Sequence, residues 1–373
     1  MAAAPRPRGA CREIRVAEVS ANRVGASWLL HLPAPAGRPE GVAKALLPSA
    51  RQLDKVARRF LPPTETMPMT EHAITFPSAG LKLSGVVHVP SGMRPGERRA
   101  AFIVLHGFGS NKTSSNTMQP TKVLGELGYV VLRFDMRGCG ESEGEFGRVI
   151  CLEQVEDTRS ALTFLADHPA VDPERIGVIG SSFGGAVAVY TGGVDERVAA
   201  VISNGGWGDG ERKFRGQHKS PEEWARFTNM LKEGREHRAK TGKSLMVPRY
   251  DIVPIPPHLR NNLAANSIHS FPAETAQSMY DFRAEEVVGR IAPRPLLLLH
   301  SASDSVTPVE QSIGPFPFFC HRGRVDRARV KRLSLSASAS LLPPAGKRRK
   351  GRGPCPQRAP RRKRCPRQCQ DFS

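Results

Sequence analysis

Apolar and polar positions change rhythm several times along this chain, and each change marks an element. Ala73-Ile74-Thr75-Phe76 and the stretch from Leu81 to Val89 alternate with a period of two around Ser78-Ala79-Gly80. This predicts two antiparallel strands joined by a tight turn. Ala101 to Leu105, Tyr129 to Asp135, Ile176 to Ile179, Val198 to Ile202 and Pro295 to Leu299 are short and mostly apolar, as strands buried on both faces are. Segments with helical spacing separate them. One covers 118–127 and stops at Gly128, a second runs from Leu152 to Asp167 with Pro169 beyond it, and a third starts at Gly184. Strands alternating with amphipathic helices predict the α/β class: a mainly parallel central sheet, helices on both faces, and an antiparallel pair at its entrance.

Two stretches interrupt the pattern. Residues 206–290 are long, polar and helix-prone, most of all from Pro221 to His237, and read as a helical cap inserted between two strands. After Ile313 the alternation gives way to Arg, Pro, Ser and Ala. The expected organisation is a basic Ala/Pro/Arg-rich extension over 1–66, disordered; a globular domain over 67–313 with its cap at 206–290; and a basic low-complexity tail over 314–373, disordered or not native to the domain.

Charge follows the same division. The chain of 373 residues carries a formal +20, but residues 321–373 hold 17 Lys and Arg against 2 acids, and residues 1–66 hold 11 against 5. The middle is therefore close to neutral. An apolar fraction of 39% suffices for a core and excludes a wholly disordered chain, and no apolar run approaches a membrane span. Four of seven cysteines (Cys320, Cys355, Cys365, Cys369) lie in the tail without a CxxC pair, and only Cys139 and Cys151 lie in the middle. That is neither a disulfide framework nor a zinc site, and it points to a reducing compartment. Trp28-Leu29-Leu30 is too short for the apolar region of a signal peptide, so the expected location is cytoplasmic.

The sharpest chemical signal is Gly180-Ser181-Ser182-Phe183-Gly184-Gly185, between a strand and a helix. A nucleophile presented on such a turn needs strained backbone angles and small neighbours two residues to either side, which Gly180 and Gly184 supply around Ser182. The following helix N-terminus favours the negative charge that develops during acyl transfer. The second signal is His106-Gly107-Phe108-Gly109-Ser110-Asn111, directly after a strand. A loop there turns a backbone N–H toward a carbonyl bound at Ser182, so the N–H groups of Phe108 and Phe183 are the expected oxyanion hole. His106 precedes the turn and reads as a structural histidine.

The order HGFGSN, FDMRGCGES, GSSFGG, LLLLHSASDSVTP resembles the α/β-hydrolase superfamily over about 70 to 313, in its bacterial esterase and dienelactone-hydrolase-like branch, with an HGF loop similar to that of feruloyl and cinnamoyl esterases. The resemblance implies that Asp304, in His300-x-x-x-Asp304-x-x-x-Pro308, is the acid of a catalytic triad, with Asp209 its rival. It also implies that Asp135 to Ser142 buttresses the site. The family's histidine is expected on the order of 25–35 residues beyond the acid. That window, Arg329 to Ala339, contains none, and His321 is the only histidine after Asp304. The chain departs from the family here, and a shifted reading frame after Ile313 is one origin of such an end.

The sequence thus predicts a serine hydrolase cleaving small-molecule carboxylic esters through an acyl-enzyme on Ser182, with Asp304 orienting a base and no cofactor, metal or membrane implied. The alternatives are a serine peptidase of the same fold, a hydrolase-like protein impaired by a missing histidine, and nucleic-acid contact through Lys347-Arg348-Arg349-Lys350 and Arg361-Arg362-Lys363-Arg364. Trp207, Trp224, Tyr250 and Phe271 are aromatic residues of the cap that serve either the core or a pocket.

Overall fold

The computed structural model describes residues 68–260, 266–301 and 304–313, together with short strands at 15–16, 21–24 and 27–30. All belong to one unit, Met1–Ser336; a second, Ala337–Ser373, contains none of them. Most of the expected extension and all of the expected tail therefore lie outside the described residues.

The entrance to the domain is a hairpin of β2 (Met69–Ser78) and β3 (Leu81–Pro90). Its two-residue turn has positive φ at both Ala79 (46°) and Gly80 (80°), the geometry whose twist matches that of paired strands. The remaining long strands are β4 (Arg99–Leu105), β5 (Val130–Phe134), β6 (Val171–Ser181), β7 (Val198–Asn204) and β8 (Leu296–Leu299). With β1 (Arg15–Val16) at one edge they form an eight-stranded sheet of order β1-β8-β7-β6-β4-β5-β3-β2. From β1 to β5 every pairing is parallel, and β3 and β2 close the other edge antiparallel.

The all-apolar strands sit where that patterning demands. β5 is buried at every position, because helices cover both faces of the sheet. On one face Leu124 of α1 (Ser115–Glu126) packs with Phe102, Val104, Val131 and Ile179. On the other, α2 (Cys151–Ala166) and α3 (Phe183–Val194) join the larger core around Ile103, Leu105, Leu132 and Val178. β6 begins five residues earlier than its apolar run, since Val171 pairs with Arg99 before an irregularity in register delivers Ile176 opposite Ala101.

Between β7 and β8 the chain folds into helices and a two-stranded ribbon of Met246–Pro248 and Ser270–Pro272. The first cap helix, α4 (Gly210–Gln217), is followed by α5 (Pro221–Thr241). The polar segment noted in the sequence is helical for local reasons. Ser220 and Glu223 form a reciprocal capping box, Pro221 stands in the first turn, and Gly242 ends the helix with φ 68°.

Candidate active site

β6 enters α3 through Ser182, whose φ of 54° and ψ of −114° are far from anything an L-residue adopts without cost. A residue held so is strained by about 1–3 kcal/mol and persists only where its surroundings dictate it. The Ser182 N–H donates to the Asn204 carbonyl at 2.7 Å, and the Gly185 N–H donates back to the Ser182 carbonyl at 2.9 Å. A Cβ on Gly180 would overlap the Gly184 carbonyl, and one on Gly184 would lie 2.5 Å from the His106 oxygen. Close backbone approach, not freedom of rotation, is what requires glycine at both places.

The loop after β4 lies directly on this turn. A Cβ on Gly107 would stand 3.9 Å from the Ser182 Cβ and 2.9 Å from Asn116 Nδ2. Phe108 follows, its ring stacked on Phe271 of the cap with centroids 4.2 Å apart. Its carbonyl accepts from Arg249 Nη2 at 2.6 Å, while Arg249 Nη1 donates to the Ile268 carbonyl at 2.8 Å. Gly109 has φ 54°, and its carbonyl accepts from the Ile268 N–H at 2.9 Å. Cap and loop are thus fastened together at two hydrogen bonds and one aromatic stack, with the Arg249–Ile268 bond bracing the cap side.

His106 is buried, and the Met136 N–H donates to its Nε2 at 3.2 Å, which leaves the proton on Nδ1, 2.9 Å from the Gly107 carbonyl. Burial pushes its pKa below the ordinary value, so it stays neutral and holds the loop. The segment after β5 buttresses the same loop. Buried Asp135 accepts from the Lys112 N–H at 2.6 Å, from Lys112 Nζ at 2.5 Å and from the Glu141 N–H at 2.9 Å. Beside it Arg137 donates to Asp157 at 2.8 Å through both its backbone N–H and its Nε. Burial pushes the Asp157 carboxyl upward against the pull of this arginine.

Asp304 follows β8. Its Oδ1 accepts from the Val306 and Thr307 N–H groups at 2.8 and 2.9 Å. Its Oδ2 faces the turn after β7, where a Cβ on Gly205 would lie 3.7 Å away. Gly205 directly follows Asn204, whose carbonyl holds the Ser182 N–H, so Asp304 and the serine turn flank one short piece of chain. His300 Nε2 is 3.7 Å from Asp304 Oδ2, but that nitrogen also meets the Thr307 carbonyl at 2.7 Å and Nδ1 meets the Ser312 hydroxyl at 2.6 Å. Asp209 is employed elsewhere: it caps α4 through the Arg212 N–H at 2.6 Å and pairs with Arg283 at 2.9 Å.

Ser182 opens into a cavity of about 190 Å³ shared by Gly107, Phe108, Trp207, Lys213 and Arg249. Ser182 and Phe108 thus line one space, Phe183 continues from Ser182 at the head of α3, and Asp304 stands behind. No described histidine lines the cavity. His321 lies outside the described residues. Sequence reasoning missed Lys213 and Arg249. The signal for Lys213 was the helical spacing of Gly210, Lys213, Phe214 and Gln217, which share one face of α4 and of which the first three are buried.

A mainly parallel sheet, a serine on a strained strand-to-helix turn and a glycine loop across it define an α/β hydrolase. Residues 96–335 match the family described as Serine aminopeptidase, S33, and the chain belongs to that family. It is 26% identical over 255 residues to an uncharacterized protein from the traX-finO intergenic region of Escherichia coli, covering 66% of this chain and 84% of that one. It is 38% identical over 125 residues to the Thiohydrolase aneE of Aspergillus aculeatus, covering 33% and 37%. The crystal structure of a hypothetical protein from Pseudomonas aeruginosa shares the fold, with a TM-score of 0.56, 24% identity, and coverage of 68% and 84%.

Proposed function

We propose that the protein is a serine hydrolase that cleaves carboxylic esters through an acyl-enzyme on Ser182. The observation that carries this reading is the backbone of Ser182, strained at φ 54° on the edge of an open cavity. In the proposed cycle the Ser182 oxygen attacks the ester carbonyl and a tetrahedral oxyanion forms. The N–H groups of Phe108 and Phe183 stabilise it, and the alcohol leaves. Water then releases the acid from the acyl-enzyme. A base must take the serine proton in the first attack and pass it to the leaving alcohol, then take a water proton in the second and return it to Ser182; Asp304 is assigned the role of orienting that base. His321, the only histidine after Asp304, is a weak candidate for that base, because 17 residues leave little room for the helix and strand expected between them, and the alternative is that the chain lacks the base.

Thioesters share this acyl chemistry, and the partial likeness to a thiohydrolase supports their inclusion. The peptidase reading is the second one, favoured by the description of the family. The buried free thiols Cys139 and Cys151 support a reducing, cytoplasmic location; among the described residues no helix is long and apolar enough to cross a membrane. The basic clusters proposed for nucleic-acid contact lie outside the described residues.

The test is labelling by a fluorophosphonate probe together with hydrolysis of a p-nitrophenyl acetate panel and a peptide p-nitroanilide. Labelling mapped to Ser182 and ester turnover abolished in Ser182→Ala are expected. Faster cleavage of the anilide would favour the peptidase. Neither turnover nor labelling would leave an impaired hydrolase-like protein.

A further inference from the structure

The cavity beside Ser182 is lined by two cationic side chains and by no acidic one. Both cations are deeply buried, Lys213 with 2% of its surface exposed and Arg249 with 4%. Burying a charge without a partner is costly, and proteins ordinarily supply a carboxylate to offset it. Here none is supplied: among the described residues no Asp or Glu lies within ion-pair distance of either. Lys213 Nζ instead donates to Gln217 Oε1 at 3.0 Å and sits over the Phe214 ring at 4.0 Å and the Trp207 ring at 4.9 Å. Burial pulls its pKa down to about 7, opposed by Cys151 and then by Asp304.

Arg249 spends its two terminal nitrogens on carbonyls, but its Nε has no partner, and neither has Nε1 of Trp207, 3% exposed on the same cavity wall. Both basic side chains therefore border one space that has no carboxylate on its wall. An anion in the cavity supplies both side chains with the counter-charge its wall lacks; a neutral alkyl chain does not.

We propose that Lys213 and Arg249 form an anion subsite of the Ser182 cavity, and that the substrates are esters whose acyl part bears a free carboxylate, as half-esters of dicarboxylic acids do. The proposal rests on the hydrolase reading, since Ser182 is what makes a bound acid anion a substrate. In the reaction the acyl carboxylate keeps its charge throughout. Only the ester C–O bond breaks, and water supplies the new oxygen of the dicarboxylate product.

The experiment has two arms. Wild-type protein is assayed with mono-p-nitrophenyl adipate and with the same compound methylated at its free carboxylate. A kcat/KM at least tenfold higher for the anion is expected, and Lys213→Met is expected to collapse the ratio toward one, with its thermal transition measured to establish folding. In the second arm, Ser182→Ala protein, which lacks the nucleophile, is titrated by calorimetry with monomethyl adipate and with dimethyl adipate. The monoanion is expected to bind at least tenfold more tightly and to lose that advantage when Lys213→Met is added. Equal affinities in the second arm overturn the subsite whatever the first arm shows. Selective anion binding with no turnover of either ester by the wild type overturns the hydrolase reading and leaves the subsite standing.

Discussion

Arg249 of the cap holds the carbonyl of Phe108 at 2.6 Å, and so fixes the peptide that precedes the Gly109 turn against the serine. A charge-assisted hydrogen bond of this kind inside a buried site orients a loop more firmly than a neutral one. Arg249→Met should lower ester turnover by about tenfold to a hundredfold, the range typical when oxyanion donors lose their alignment. Arg249→Lys should not rescue it, because one ammonium cannot span the Phe108 and Ile268 carbonyls as the two arms of the guanidinium do. Steady-state kinetics of both variants, read with their melting temperatures, check this; a normal kcat in Arg249→Met would refute it.

Gly109 tests the same clasp from the other side. Its φ of 54° lies in the left-handed region that favours glycine, and a Cβ would lie 2.5 Å from Phe271 Cζ and 2.8 Å from Arg249 Nη1. Gly109→Ala should cost about 1–3 kcal/mol of stability through backbone strain alone, and reduce turnover as Phe271 is pushed aside. Chemical denaturation and the p-nitrophenyl assay report the two losses separately.

His88 gives the stability a pH dependence. Its Nε2 accepts from Arg133 Nε at 2.8 Å, and burial first, then the arginine charge, lowers its pKa from 6.5 to about 4. The unfolded chain takes up a proton that the folded chain refuses between those values. Stability is therefore full above pH 6.5 and is lost as pH falls toward 4, by on the order of 2–3 kcal/mol from this group. Urea unfolding at pH 7.5 and 4.5 should show the decline, and His88→Gln, which keeps an acceptor for Arg133, should make it shallower.

Cys139 and Cys151 are both buried, and burial raises the Cys151 thiol to about 12 and pushes Cys139 upward as well. Neither should react with iodoacetamide in native protein at pH 8, and both should in urea. Mass spectrometry of the modified peptides distinguishes them from the other cysteines.

The strands and the serine turn were legible because local chemistry dictates them. Period-two alternation marked β2 and β3, unbroken apolar runs marked β4 and β5, and Gly180 with Gly184 framed Ser182. Of the cavity wall, only the helical spacing around Lys213 left a trace in the sequence. Lys213 stands in Gly210-Glu211-Arg212-Lys213-Phe214-Arg215, a run whose charges read as a solvated face, and only packing of Phe214 and Trp207 over it removes the lysine from water. Arg249 follows Pro248 in a stretch without periodicity, and its two carbonyl partners lie 141 and 19 residues away in the chain. Non-local bonds of that kind leave no trace in spacing.

The Ile268 N–H bond to the Gly109 carbonyl, the bridging guanidinium and the Phe108–Phe271 stack weld the cap, the proposed selector of substrates, to the loop that faces Ser182. Grafting a different cap onto this domain would therefore change how fast bonds break as well as which molecules enter. Specificity and rate in this architecture are inherited as one trait.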